Sequence, residues 1–216
     1  MRGSAVVVGV VLALSSGCAD PEAGFTAFSK RLARTLRDAG VPDAGPRVDA
    51  GPCTVTPGFV QGDYLLAISV SIAASKPIVL LDTVSTPPLN GGTGVSFDAQ
   101  PLSYRDRKTP VGTKVALGPF FVDSNGNFTA SIPGLTVVGD ANPITVGSEI
   151  QADVTLTGNL CGNGSFFCGT VSGTASRPIT LDLSGSTFTL TRVEGGNIPT
   201  QPAIDCAGKP SDPPPG

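Results

Sequence analysis

The chain has 216 residues and a formal net charge of −3, and only 14% of its residues are Asp, Glu, Lys or Arg, against about a quarter in ordinary globular domains. That balance supplies no basic field for nucleic acid, and the absence of histidine excludes any Ser-His-Asp or Cys-His arrangement. With 28 Gly, 20 Pro and abundant Ser and Thr, the vocabulary is that of strands and turns rather than helices.

The first element is the apolar run Ala5 to Leu14, preceded by Arg2 and followed by Ser15-Ser16-Gly17-Cys18. It is too short for a transmembrane helix, which needs roughly 20 residues, and fits the apolar core of a secretion signal. The run, the small residues and the cysteine together resemble the lipobox of bacterial lipoproteins, with Ser15 where that family usually carries leucine. The resemblance implies residues 1–17 as a removable signal, Cys18 as the lipidated N-terminus, and a cell-envelope location held to a membrane by the lipid. Which membrane is left open.

Residues 18–52 read as a spacer. Phe25, Phe28, Leu32 and Leu36 recur at helical intervals among Lys30, Arg31, Arg34 and Arg37, which predicts a short basic amphipathic helix. Its apolar side could meet a membrane surface or a protein. Three Asp-Ala-Gly triplets follow, at residues 38–40, 43–45 and 49–51, interleaved with prolines. They have no apolar face to bury and predict a flexible or extended tether.

Residues 53–206 predict an all-β domain. Leu66, Ile68, Val70 and Ile72 alternate with small or polar residues, a period-two strand with one polar face. Further strands are expected at Ile78–Leu81, Val95–Phe97, Val115–Val122, Phe128–Val138, Ile150–Leu156, Phe166–Ala175, Ile179–Leu183 and Phe188–Val193. Asn125-Gly126, between two of these runs, predicts a hairpin with a type I′ turn. About eight or nine strands in one domain make an antiparallel β-sandwich or β-barrel. Lys76-Pro77-Ile78-Val79, Asn142-Pro143-Ile144-Thr145 and Arg177-Pro178-Ile179-Thr180 share a form that suits strand starts, where proline costs no ladder bond. Residues 207–216, rich in proline, read as a disordered tail.

Adjacent apolar residues at Leu80-Leu81, Phe120-Phe121 and Phe166-Phe167 would put one side chain of each pair on either face of a sheet. The outward members require a second layer, a helix or a partner, or else form a binding patch.

Setting Cys18 aside leaves Cys53, Cys161, Cys168 and Cys206, an even number that suits disulfides in an oxidising compartment. The turn-rich Gly162-Asn163-Gly164 between Cys161 and Cys168 favours pairing those two, with Cys53–Cys206 tying the domain's ends together. The spacings are not those of a zinc site, and no cofactor motif is present.

Chemistry-bearing candidates are few. Tyr104, Arg105, Arg107 and Lys108 form the dense charge cluster of a stretch that carries seven Arg and Lys against eleven Asp and Glu between residues 53 and 206. In an extended loop Arg105 and Arg107 would share a face and could hold an anionic envelope component. Asp63, Asp82, Asp153 and Asp182 are the carboxylates an enzyme would have to use. The expected role is a non-catalytic binding or structural domain of the envelope, with an envelope component or protein as partner. A barrel carrying an apolar ligand is the alternative, and a carboxylate enzyme the third reading. Interior space decides between the first two.

Overall fold

The computed structural model describes residues 53–162 and 164–216. The signal, Cys18, the Phe25–Leu36 helix and the Asp-Ala-Gly tether lie outside the described residues.

Ten strands form one antiparallel sheet: β1 (Gln61–Ser69), β2 (Ile78–Ser85), β3 (Pro88–Leu89), β4 (Gly92–Pro101), β5 (Val115–Val122), β6 (Asn127–Val137), β7 (Ile150–Asn159), β8 (Phe166–Arg177), β9 (Leu181–Asp182) and β10 (Ser186–Arg192). The order β10-β1-β2-β4-β5-β6-β7-β8 returns on itself because β10 also pairs with β8. The expected all-β fold is therefore a closed eight-stranded barrel, with β3 and β9 as short additions to β4 and β8.

Alternation builds the interior. Tyr64, Leu66 and Ile68 of β1, Ile78, Leu80 and Val84 of β2, Val95, Phe97 and Ala99 of β4, and Ala152, Val154 and Leu156 of β7 belong to one buried cluster. Aromatic rings fill one stretch of it: Phe97 lies 5.9 Å from Phe128, Phe128 lies 6.2 Å from Phe188, and Tyr64 lies 5.8 Å from Phe167. Glycines make room for them. A Cβ at Gly158 or Gly169 would come within 2.6 or 2.5 Å of the Phe188 ring, so large and small residues alternate around the barrel as a filled interior requires.

The polar face expected on β1 is not wet. Leu65, Ala67 and Ser69 are buried like their inward neighbours, because residues 193–212 lie as a strap over β1, β2 and β10. Leu65, Val79 and Leu102 form a second apolar layer with Leu81, Val193 and Ile198. The Thr187 and Thr189 hydroxyls, outward on β10, donate to the carbonyls of Ile204 and Ala203, each at 2.6 Å.

The strap corrects two expectations. Residues 207–216 are not a disordered tail. Pro210 bridges to Ala203, Ser211 is buried, and the Asp212 amide donates to the Ser75 carbonyl at 2.9 Å. The disulfides are Cys53–Cys161 and Cys168–Cys206, not Cys161–Cys168 and Cys53–Cys206. Cys168 pairs with Asn159 in the β7–β8 ladder and points out of the wall toward the strap. Cys161 lies beyond the last ladder pair, at the barrel end where the described chain begins. The two cysteines therefore face different neighbours despite their short separation.

The β5–β6 connection is a hairpin but not a type I′ turn, which needs positive φ at both central residues. Gly126 has φ 79°, and Asn125 is not left-handed. The Gly126 amide donates to the Asp123 carbonyl, while the Asp123 carboxylate accepts the amides of Asn125 and Asn127, each at 2.8 Å. Local Asp capping selects this turn. Glycine is needed there for a second reason: a Cβ would sit 2.5 Å from Cys161 Sγ. Of the three proline tetrapeptides only Lys76-Pro77-Ile78-Val79 opens a strand. Pro143 lies in a turn-rich loop held by the buried Asn142, which donates to Thr145 and Ser148 and accepts the amides of Ile144 and Thr145. Pro178 follows the end of β8, and the strand expected at Ile179–Leu183 shrinks to Leu181–Asp182.

Candidate ligand cleft and the charged loop

The aromatic filling stops short of one barrel end. There the interior is lined by aliphatic chains from six strands, among them Ile68 and Ile78, Val137 of β6, Ile150 of β7, Ala175 of β8 and Leu181 of β9. They leave an apolar cleft of about 60 Å³. That is room for several water-sized groups but far below the roughly 300–1,000 Å³ of a drug-sized site. The cleft suits a narrow apolar group, not a ring system. Its rim carries Ile72 from the turn after β1 and Ile179 from the loop after β8, 56% and 50% exposed. Val146 is 60% exposed, next to Thr145 of the lining. These are three of the five large exposed apolar side chains among the described residues. Clustered exposed apolar side chains of this kind make the mouth the candidate contact surface of the barrel. Arg177, at the end of β8, is the one charged residue in the lining.

The predicted anion loop is built differently from the expectation. Residues 104–106 form a turn, not an extended segment, and the two arginines part. Arg107 takes a left-handed φ of 55° and turns inward, 2% exposed. Its Nη1 donates to the Thr200 carbonyl at 2.8 Å, Ser211 Oγ at 2.7 Å and the Asp212 carbonyl at 2.7 Å. Arg107 thus clamps the strap and has no free face for a ligand. Arg105 stays outside, its guanidinium carbon 5.1 Å from the centre of the largely buried Tyr104 ring. Lys108 is exposed. Asp106 turns back into the loop. It accepts the Thr109 hydroxyl and the amides of Thr109 and Lys108, and these bonds hold its carboxyl down at about 2. A fixed anion inside the loop further weakens it as an anion site.

The four carboxylates do not assemble. Asp63 accepts the Thr83 hydroxyl at 2.9 Å, Asp153 the Gly134 amide at 2.7 Å, and Asp182 the Ser184 amide and hydroxyl at 2.8 and 2.7 Å. Asp82 stands apart. It lies between Tyr64 and Ala99 across the ladders, on the inward face and fully enclosed. Neither of its oxygens has a hydrogen-bond partner among the described residues. Burial, reinforced by the negative charge of Asp98 and opposed by Lys114, pushes its carboxyl up to about 7. Tyr64 turns its hydroxyl elsewhere, donating to the Gly164 carbonyl at 2.6 Å and accepting from Arg192 at 3.2 Å.

Sequence reasoning missed Arg177 and Ile179 as cleft residues. Their tetrapeptide was visible, but its local form says strand start, and only the closure of the barrel brings it beside Ile72. No protein-family model, curated protein or solved structure compared with this chain is similar to it.

Proposed function

We propose that this chain is a lipid-anchored envelope protein, held through Cys18, whose barrel binds the aliphatic portion of an anionic amphiphile without transforming it. The observation that supports this reading is the open apolar cleft, with exposed Ile72 and Ile179 on its rim and Arg177 as its one charged lining residue. The aliphatic lining gains from excluding water from a chain, and Arg177 supplies a donor fork for a carboxylate or phosphate at the mouth. The described chain begins at Cys53, which lies at the opposite barrel end through its disulfide to Cys161.

The reading favours the ligand-binding alternative over a purely structural role, with a narrow cleft in place of a hollow barrel. A fluorescent long-chain fatty acid titrated into the mature protein tests it. Ile179→Asp is expected to weaken binding about tenfold or more, a loss of roughly 1.4 kcal/mol, and Arg177→Gln to weaken it less and to remove its salt dependence. Saturable binding that neither substitution changes would overturn the cleft. The anchor is tested separately: Cys18→Ser is expected to release the protein from the membrane fraction.

A further inference from the structure

The barrel wall is unevenly hydrogen-bonded. β5 and β6 share the single pair Val122–Phe128. Over the rest of their length they pair only with β4 and β7. A groove of about 320 Å³ lies over this seam, between Val115 and Leu117 on one side and Ile132 and Leu135 on the other. The hairpin at Asp123–Asn127 joins the two strands at one end of the seam. Toward the other end Gly112 approaches the groove residue Val138, where a Cβ would lie 2.9 Å from Cγ1.

The groove shares Val115, Leu117, Ile132 and Leu135 with a void of about 20 Å³ inside the barrel, and that void shares Ile68, Leu135 and Val154 with the end cleft. Leu135 lines all three. It follows an irregularity: the β6–β7 register shifts between Ile132 and Leu135. Pro133 has no amide hydrogen, and Gly134, at φ 63°, gives its amide to Asp153 Oδ1 at 2.7 Å. Residues 133–134 thus have no ladder pair on either side. The least tethered part of the wall stands over the narrowest part of an apolar path.

We infer that the β5–β6 seam is a lateral portal through which an unbranched aliphatic chain passes to the end cleft, with Leu135 as its gate and the Asp153–Gly134 hydrogen bond as its latch. The inference rests on the proposed cleft. The void between groove and cleft has room for about one water, so a ring or a branched group would not pass a modest shift of Leu135, whereas a methylene chain would. No charged side chain lines groove or void, and a moving chain therefore strips no ion of its water. An added peptide strand fits less well, because Pro119 and Pro133 each remove a donor from the facing edges. A free fatty acid and a lipid acyl chain share the required chemistry.

Stopped-flow mixing of the full mature chain with a fluorescent long-chain fatty acid tests the portal. The acid is supplied free in one arm and as a labelled phospholipid in vesicles in the other. Asp153→Ala is expected to raise association and dissociation rates together by several-fold with little change in affinity. Thr136→Trp, at the groove's rim, is expected to slow both. A purely structural role for Asp153 would lower the melting temperature and leave the rates unmoved. If Ile179→Asp abolishes binding while neither seam variant changes a rate, the chain enters by the barrel end and the portal is wrong, with the cleft intact. If the wild-type protein binds the probe in neither arm, the cleft reading and the portal fall together. Uptake from one arm alone identifies the source.

Discussion

The two sides of this barrel solve the same burial problem in different ways. β1, β2 and β10 are covered outside by the strap, so both faces of β1 are dry from Tyr64 to Ser69. β6 alternates exposed and buried residues from Asn127 to Ile132, as a sheet with one wet face should. The covered side is a two-layer wall held by Cys168–Cys206 and by Arg107. The bare side is one layer thick, and its β5–β6 junction is a single residue pair. Tethering contacts are concentrated on one side and sparse at the β5–β6 junction of the other, and the proposed ligand path runs through that junction.

The largest expected effects come from opening the two disulfides, one on the covered wall and one at the barrel end. The Cys168–Cys206 bond closes a separation of 38 residues, and chain entropy sets its loss at about 4 kcal/mol. Cys53–Cys161 closes 108, worth about 5 kcal/mol by the same argument. Denaturant melts of the two paired Cys→Ser variants check this. The walls differ in kind if only the Cys168→Ser/Cys206→Ser protein also binds a hydrophobic dye while still folded, since only that variant would bare Leu65, Val79 and Leu81. Equal dye binding by both would erase the distinction.

Asp82 is a second probe of the covered wall, because it lies on the inward face of β2, whose outward residues Val79 and Leu81 meet the strap. Its folded-state carboxyl sits near 7, raised from an ordinary carboxylate value. A raised folded value means that the native state favours the protonated form. Stability is then full below the unfolded value, near pH 4, and declines as pH rises through about 7. Asp82→Asn is expected to flatten this profile and to exceed the wild type at pH 8 by up to about 4 kcal/mol. Melting temperatures between pH 4 and 8 measure it. A wild-type profile already flat across that range would mean that water or a partner reaches the carboxyl.

Much of this architecture is legible in the sequence. Period-two runs such as Leu66-Ala67-Ile68 and Ile150 to Leu156 mark strands because one face must be apolar, and nearly every expected strand is present. The doubled residues Leu80-Leu81 and Phe166-Phe167 correctly signal a second layer: Leu81 packs under the strap, and Phe166 lines a groove with Pro199 and Pro202. What covers them was not legible. Residues 193–212 have no periodicity, and their order comes from hydrogen bonds to side chains far away in the chain, such as Arg107 and Thr189. Disulfide pairing failed for the same reason, since proximity in sequence says nothing about which side of a wall a cysteine faces. Of the anion-site residues Tyr104, Arg105, Arg107 and Lys108, composition shows the charge but not that Arg107 points inward. Arg177, which does line a cleft, carries no local signal.

Arg107 and Arg105 sharpen the comparison next. Arg107→Ala would take the arginine donor from the Thr200 carbonyl and Ser211 Oγ and leave the Asp212 carbonyl only its bond from Ser211 Oγ, at a cost of about 3 kcal/mol. Arg105→Ala, on the exposed side of the same turn, should stay within about 0.5 kcal/mol. Single-variant melts decide it, and equal effects would mean that Arg107 does not clamp the strap.

The smallest effect belongs to the bare wall and tests it most directly. Leu81 and Phe121 are the outward members of two doubled apolar pairs, alike in sequence. Leu81 is roofed by the strap layer, whereas Phe121 is 57% exposed on β5. Leu81→Ser removes buried apolar surface and sets a hydroxyl among Leu65, Val79 and Leu102, so it should cost about 2–3 kcal/mol. Phe121→Ser gives up little buried area and should stay within about 0.5 kcal/mol. It should also reduce any self-association, because one large exposed ring is lost from the side of the barrel that no other described residue covers. Chemical melts and sedimentation of the two variants are the measurement. A Phe121→Ser cost as large as that of Leu81→Ser would show that the β5 face is covered after all, and the bare wall would then have a second layer of its own.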